Sequence, residues 1–287
     1  MIEINSSPIQ KIKFLDNSFF IKRDDLLNKE FSGNKARKFH YLLLHDFKGI
    51  DTIVSHGGIQ SNAMYSLSVL AKMKNLKFVY YSDHVPTYLI KNPIGNFKNA
   101  LKNGMILKIE SLKKPLKKSS LFIPQGGAFE LAEVGIKILA NEIKSYMIQN
   151  AITTLDIFLP SGTGTTALYL QKNIDQKVYT CACVGDEEYL KKQFSNLIKE
   201  TSFHPTILTL DKKYHFAKPY REFYDIWLKL KLSTNIEFDL LYDPLGWLNI
   251  LKNRHKMGKN LLYIHQGGVL ANESMILRYK RKFDEYN

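Results

Sequence analysis

Residues 52–62 read Thr52-Ile53-Val54-Ser55-His56-Gly57-Gly58-Ile59-Gln60-Ser61-Asn62. A short apolar, β-branched run enters a pair of glycines, and a stretch with helical spacing follows. That is a strand, a tight turn and a helix, the repeating unit of a sheet flanked by helices. Paired glycines let the backbone approach a ligand closely, and the free amide groups of a helix start can receive an anion. Gln60, Ser61 and Asn62 add donors and acceptors suited to a carboxylate or a phenolic oxygen. Ser61 also reads as a helix cap worth about 1 kcal/mol. Capping and anion binding can coexist.

The same rhythm continues on both sides. Extended patterns are predicted at 19–23, 52–55, 77–81, 105–108, 155–159, 177–184 and 261–265. Helical ones are predicted at 34–47, 61–74, 96–103, 130–149, 165–172, 187–200, 220–230 and 271–282. Strands alternating with helices of this length imply an α/β protein with parallel sheets covered on both faces. Glycine-bearing turns recur where strands end, at the carboxyl edge where such sheets bind ligands. No internal repeat or low-complexity linker is visible. The basic, proline-interrupted stretch 110–120 reads as a loop marking passage from one sheet to another. Two lobes are expected, residues 48–123 forming a smaller inserted α/β domain and residues 1–47 with 124–287 the larger one.

Composition narrows the class. The 287 residues are 45% hydrophobic and 24% charged, which is ordinary for globular proteins. No apolar run reaches the ~18 residues of a membrane span, and Met1-Ile2-Glu3-Ile4-Asn5 does not resemble the start of a secretory signal. The two cysteines, Cys181 and Cys183, share one face of a strand and read as buried thiols, consistent with a cytoplasmic setting. The net charge of +14 raises nucleic acid as a partner. The lysines are spread thinly, however, and runs such as Lys113-Lys114-Pro115-Leu116-Lys117-Lys118 are short, so solvated surface lysines are the simpler reading.

Three further stretches carry chemistry. In Phe31-Ser32-Gly33-Asn34-Lys35-Ala36-Arg37-Lys38 a flexible turn feeds a helix, placing Lys35 in its first turn. A positive helix end lowers the pKa of that amine and readies it to attack an aldehyde. Lys38, three residues on, shares its face. Pro160-Ser161-Gly162-Thr163-Gly164-Thr165-Thr166 follows an apolar strand and has the character of a phosphate cradle. It lacks the Gly-Lys-Ser/Thr of a P-loop and the third glycine of a dinucleotide fingerprint. Gln125-Gly126-Gly127 and Gln266-Gly267-Gly268 are two more such turns. His56 and His265 stand at strand ends with no third ligand at a metal-binding spacing, and read as loop histidines, with no metal expected.

Taken in order, Lys22-Arg23-Asp24-Asp25, Ser32 to Lys38, Gly57 to Asn62, Ser161 to Thr166, Asp243-Pro244 and His265-Gln266-Gly267-Gly268 resemble the 1-aminocyclopropane-1-carboxylate deaminase and D-cysteine desulfhydrase family. The resemblance spans about residues 20–270. It implies the two-lobed fold type II of pyridoxal-phosphate enzymes, of the tryptophan-synthase-β kind. It further implies that Lys35 holds pyridoxal 5'-phosphate as a Schiff base, that Lys38 and Gly162, Thr163, Gly164, Thr165 and Thr166 hold the phosphate, and that Asn62 bonds the phenolic oxygen. Gln60, Ser61, Asn62 and Gln266 would meet the substrate, Ser61 matching the serine proposed as nucleophile in cyclopropane-cleaving members. Relatives of this fold are commonly homodimers, and the implied partner is a small amino acid rather than a membrane or nucleic acid.

The chain departs from the family after Asp243-Pro244. The expected catalytic tyrosine falls on Gly246, and the acceptor for the ring nitrogen falls on Trp247, whose indole can only donate. Tyr214, in Tyr214-His215-Phe216-Ala217-Lys218-Pro219, loosely matches a second catalytic tyrosine. The expected reaction is a D-cysteine-like β-elimination giving a 2-oxo acid and ammonia. The alternatives are a pyridoxal-phosphate-binding protein with little catalysis, motivated by Gly246 and Trp247, and cysteine-synthase-like β-replacement. Cyclopropane opening is the least favoured.

Overall fold

Ten strands among the described residues form two sheets. The strands are β1 Ile9–Phe14, β2 Asn17–Arg23, β3 Thr52–His56, β4 Lys77–Tyr81, β5 Met105–Lys108, β6 Ser120–Phe122, β7 Asp156–Ser161, β8 Val178–Ala182, β9 Thr206–Ile207 and β10 Leu261–His265. The larger sheet has the order β1-β2-β10-β7-β8-β9 and the smaller one β5-β4-β3-β6. Every pairing is parallel except the β1–β2 hairpin. The computed structural model describes residues 6–113 and 115–283; Met1–Asn5, Lys114 and Asp284–Asn287 lie outside them.

Eleven α-helices among the described residues accompany the strands: α1 Gly33–Lys38, α2 His40–Leu44, α3 Asn62–Met73, α4 Thr87–Lys91, α5 Gly95–Lys102, α6 Ala132–Gln149, α7 Thr165–Lys172, α8 Glu187–Leu197, α9 Arg221–Thr234, α10 Asp243–Asn253 and α11 Asn272–Lys282. Alternation along the central strands distributes side chains to two cores. Leu262 and Ile264 of β10, with Ile157 and Leu159 of β7, pack against α6 and α7. Leu261 and Tyr263, with Phe158, pack on the opposite face against α9, α10 and α11. The smaller sheet buries Ile53, Phe78 and Tyr80 with Leu67 and Leu70 of α3 and Phe97 of α5. No helix among the described residues is long and apolar enough to cross a membrane.

Three expectations are revised. The helix predicted over 34–47 breaks at Phe39 (φ −96°, ψ 8°), whose ring turns into the core against Phe31 and Phe129. At the break α6 comes so close that a Cβ on Gly135 would lie 2.0 Å from the Arg37 carbonyl oxygen. The 110–120 stretch joins β5 to β6 inside the smaller sheet, so passage to the larger sheet comes after β6. Strand β1 was not predicted, since Ile9, Ile12 and Phe14 are separated by polar residues out of strict alternation. The tight turn at Leu15-Asp16, both with positive φ, folds it back onto β2.

Candidate active site

A cavity of about 560 Å³ lies where the turns after β3, β7 and β10 meet the start of α1. Parallel sheets place strand carboxyl ends and helix amino ends on the same edge, which is why these four segments converge. Gly33 fits α1 into this edge: its φ is +65°, and a Cβ there would lie 1.9 Å from the Gln266 carbonyl oxygen. The next amide, Asn34 N–H, donates to that same oxygen at 3.0 Å.

Lys35 and Lys38 both reach the cavity wall. Burial lowers the Lys35 ammonium to about 8, while the nearby Asp239 carboxylate raises it. The depression expected from the helix start is thus supplied by desolvation. Lys35 Nζ donates to Asn34 Oδ1 at 2.9 Å. Lys38 Nζ donates to the Gly126 carbonyl at 3.1 Å and to Thr163 Oγ1 at 3.2 Å. Burial, with the neighbouring Lys35 charge, depresses Lys38 well below its ordinary value.

The loop ahead of α7 completes this end. Gly164 takes φ +71°, and a Cβ there would come within 2.3 Å of the Phe194 ring, so only glycine allows this turn to pack on α8. The Oγ1 atoms of Thr163 and Thr165 are 3.0 Å apart. Thr166 Oγ1 is buried with no partner. The first amides of α7 have no carbonyl partners within their helix. An unpartnered hydroxyl, free amides and a buried ammonium are the donor set a phosphate monoester requires. These residues fit the phosphate of pyridoxal phosphate.

Opposite lies the start of α3. Ser61 Oγ accepts from the Ala63 and Met64 amides at 3.2 and 3.3 Å, so it caps the helix and still borders the cavity. The Asn62 amide is held by Asn96, whose Nδ2 donates to Asn62 Oδ1 at 2.6 Å and to the Gln60 carbonyl at 2.9 Å. That leaves Asn62 Nδ2 beside Gly268, free to donate to a phenolic oxygen. The Gln60 side chain is tied to the backbone of Ile94 and Phe97. Gln266 is likewise engaged at both ends, accepting from Asn34 Nδ2 at 2.9 Å and donating to the Pro160 carbonyl at 2.6 Å. Asn96 escaped sequence reading because its role depends on a fold that brings α5 against α3.

Gly246, Trp247 and Tyr214 do not line the cavity. Gly246 faces Tyr263 and Phe158, with room for little more than a methyl group. The Trp247 ring is fully buried among Phe14, Phe19, Phe238 and Tyr263. Tyr214 packs on Tyr220 and Phe223 and donates to Glu222 at 3.1 Å. The groups on that wall are Tyr242, Asp239 and Asp243. Burial raises both carboxyls well above their usual range. In sequence the signal was an acid, Asp239, inside the apolar run Phe238-Asp239-Leu240-Leu241-Tyr242.

The two histidines differ from the expected loop residues. His56 ends β3 and stacks on Phe122. His265 is fully buried in β10, its Nε2 donating to the Glu237 carbonyl and its Nδ1 accepting from the Gly267 amide. No metal-binding cluster occurs among the described residues. Cys181 and Cys183 are buried free thiols, their sulfurs 4.0 Å apart.

No family model matches the chain. It is 22% identical to the putative 1-aminocyclopropane-1-carboxylate deaminase of Thermotoga maritima, over 94% of this chain and 96% of that relative. It is 25% identical to the bifunctional D-cysteine desulfhydrase/1-aminocyclopropane-1-carboxylate deaminase of Arabidopsis thaliana, over 88% of this chain and 72% of that one. A solved structure described as an ACC deaminase homologue superposes with a TM-score of 0.75 at 22% identity, covering 96% of this chain and 95% of the other. Two mostly parallel sheets meeting at a shared ligand edge are thus the fold of the type II pyridoxal-phosphate enzymes. Among proteins of that fold the chain is similar to members of the 1-aminocyclopropane-1-carboxylate deaminase and D-cysteine desulfhydrase family.

Proposed function

We propose that the chain is a pyridoxal-phosphate-dependent lyase that eliminates a β-leaving group from a small amino acid of the D-cysteine kind. Water then releases a 2-oxo acid and ammonia. The observation that carries this is Lys35: a buried amine lowered to about 8, on the same cavity wall as a phosphate-type donor set of Lys38, Thr163, Thr165 and Thr166.

When bound, the cofactor supplies an electron sink for the pair left at the substrate Cα. The chain's residues supply the rest. Lys35 would hold the cofactor aldehyde, and its amine is placed to carry the Cα proton. Lys38 and the 162–166 loop would hold the phosphate, and Asn62 would donate to the phenolic oxygen. Ser61 and the Asn62 backbone amide at the start of α3 are placed for the substrate carboxylate. Gln60 and Gln266, whose amides are engaged elsewhere, set the positions of these groups. Tyr242 takes the place intended for Tyr214, as the tyrosine on the cavity wall. In this reading residues 48–123 form the smaller inserted domain, supported by their separate sheet, although the apolar cluster beneath that sheet also takes in Phe31, Ala36, Phe39 and Leu42.

The test is incubation of the pyridoxal-phosphate-loaded protein with D-cysteine. Equimolar sulfide and pyruvate are expected, together with their loss in Ser61→Ala. Absence of both products at every pH tried rejects the reading.

A further inference from the structure

Among the described residues of the cavity wall, one carboxylate oxygen is buried with no hydrogen-bond partner. Asp239 is 2% exposed. Its Oδ1 accepts from the Leu241 and Tyr242 amides at 2.8 and 2.7 Å, while its Oδ2 is buried without a partner. Leaving a buried acceptor unpaired costs about 1–3 kcal/mol, and more for a charged group. Such a cost is retained where function uses it.

The carboxylate is held firmly. The Asp239 amide donates to Asp243 Oδ2 at 2.8 Å, and Asp243 Oδ1 accepts from the Tyr263 hydroxyl at 2.5 Å. The next amide, Leu240 N–H, donates to Asn272 Oδ1 at 2.8 Å, and Asn272 Nδ2 donates back to the Phe238 carbonyl at 2.8 Å. The loop is thereby stapled to β10, α10 and α11, with Asp239 in the cavity wall and its Oδ2 unpartnered. A Cβ built on Gly268 would lie 3.4 Å from Asp239 Oδ2 and 2.4 Å from Asn62 Nδ2. The carboxylate and the Asn62 amide therefore border the same space.

Resting on the cofactor reading above, we infer that Asp239 Oδ2 is the acceptor for the ring nitrogen of pyridoxal phosphate. The cofactor has four polar features, and three are matched by other groups: the phosphate by Lys38 and the 162–166 loop, the aldehyde by Lys35, the phenolic oxygen by Asn62. The ring nitrogen remains. Asp243 is the poorer match, because each of its oxygens already accepts a hydrogen bond from within the protein. Trp247, at the sequence position expected to provide an acceptor, is turned into the aromatic core. The acceptor comes from the loop before α10 instead of from the helix itself.

An anion beside the ring nitrogen favours its protonated form, and protonation deepens the electron sink. Burial is the largest influence on Asp239 and raises its pKa, while the Tyr242 and Leu241 amides and the Lys35 charge lower it. A pyridinium cation against Oδ2 reverses that rise and leaves Asp239 ionised.

The test is ¹⁵N NMR of protein loaded with cofactor labelled at the ring nitrogen, at neutral pH. Wild type should give the protonated shift, Asp239→Asn the unprotonated shift, and Asp239→Glu the protonated one. An unchanged protonated signal in Asp239→Asn overturns the assignment. Should Asp239→Asn fail to fold or load, wild type and Asp239→Glu decide: an unprotonated nitrogen in either overturns it. Failure of wild type to take up the cofactor at all defeats the cofactor reading instead, so the two outcomes are distinct.

Discussion

Helix α1 carries both lysines of the site, and its position depends on Arg37. The guanidinium is 2% exposed. Its Nε and Nη2 donate to Asp24 at 3.0 and 2.8 Å, and Nη1 and Nη2 donate to Glu142 of α6 at 2.7 Å each. Lys22 pairs with the second Glu142 oxygen at 2.5 Å, and the Ser7 hydroxyl donates to Asp24 at 2.6 Å. Two cations and two anions balance, and despite burial the anions raise the Arg37 pKa further. Arg37→Met removes one cation and leaves the Asp24 carboxylate, 1% exposed, with only a hydroxyl partner. Breaking a buried pair on one side costs about 3–5 kcal/mol, a large share of the roughly 5–15 kcal/mol that holds a fold.

Urea unfolding followed by far-UV circular dichroism measures this cost. With a denaturant slope of about 3 kcal/mol/M, the upper end for small proteins, the midpoint should fall by about 1–2 M. High salt should restore little, because buried pairs are screened weakly. Arg37→Met combined with Asp24→Asn removes one charge of each sign, and should recover about 1 kcal/mol or more relative to the sum of the single changes. A loss below about 1 kcal/mol in Arg37→Met, or strict additivity in the double variant, refutes the reasoning.

Gly164→Ala puts a non-glycine residue at positive φ, costing about 1–2 kcal/mol, and drives a methyl into Phe194; titration calorimetry should show at least about tenfold weaker pyridoxal phosphate binding. Trp247→Phe removes a buried indole N–H that lacks a partner, offsetting lost packing, so stability should change by about 1 kcal/mol or less and the spectrum of bound cofactor should not change. Covalent capture of pyridoxal phosphate requires the unprotonated amine, so its rate should rise with pH around a midpoint of about 8. A midpoint near the ordinary lysine value of about 10.4 would show that Lys35 is not buried as described.

The turns at 57–62, 161–166 and 266–268 were legible in the sequence because each is local: a strand, glycines and a helix start lie within a few residues. The structure places all three on one cavity. Pairing between Asn34 and Gln266, or Asn62 and Asn96, was not legible, since it depends on tertiary approach of segments far apart in the chain. Asp239 and Tyr242 were missed for a related reason. The motif after Asp243-Pro244 points to Gly246 and Trp247, yet helical geometry from Asp243 turns those two positions into the core. The break at Phe39 likewise followed from packing against α6 rather than from helix propensity.

The most direct test of the central assignment is borohydride reduction of the protein equilibrated with pyridoxal phosphate, followed by peptide mass spectrometry. The account predicts close to one phosphopyridoxyl group per chain, carried on Lys35 and absent from that peptide in Lys35→Ala. Label scattered over surface lysines, at a level unaffected by Lys35→Ala, would contradict it.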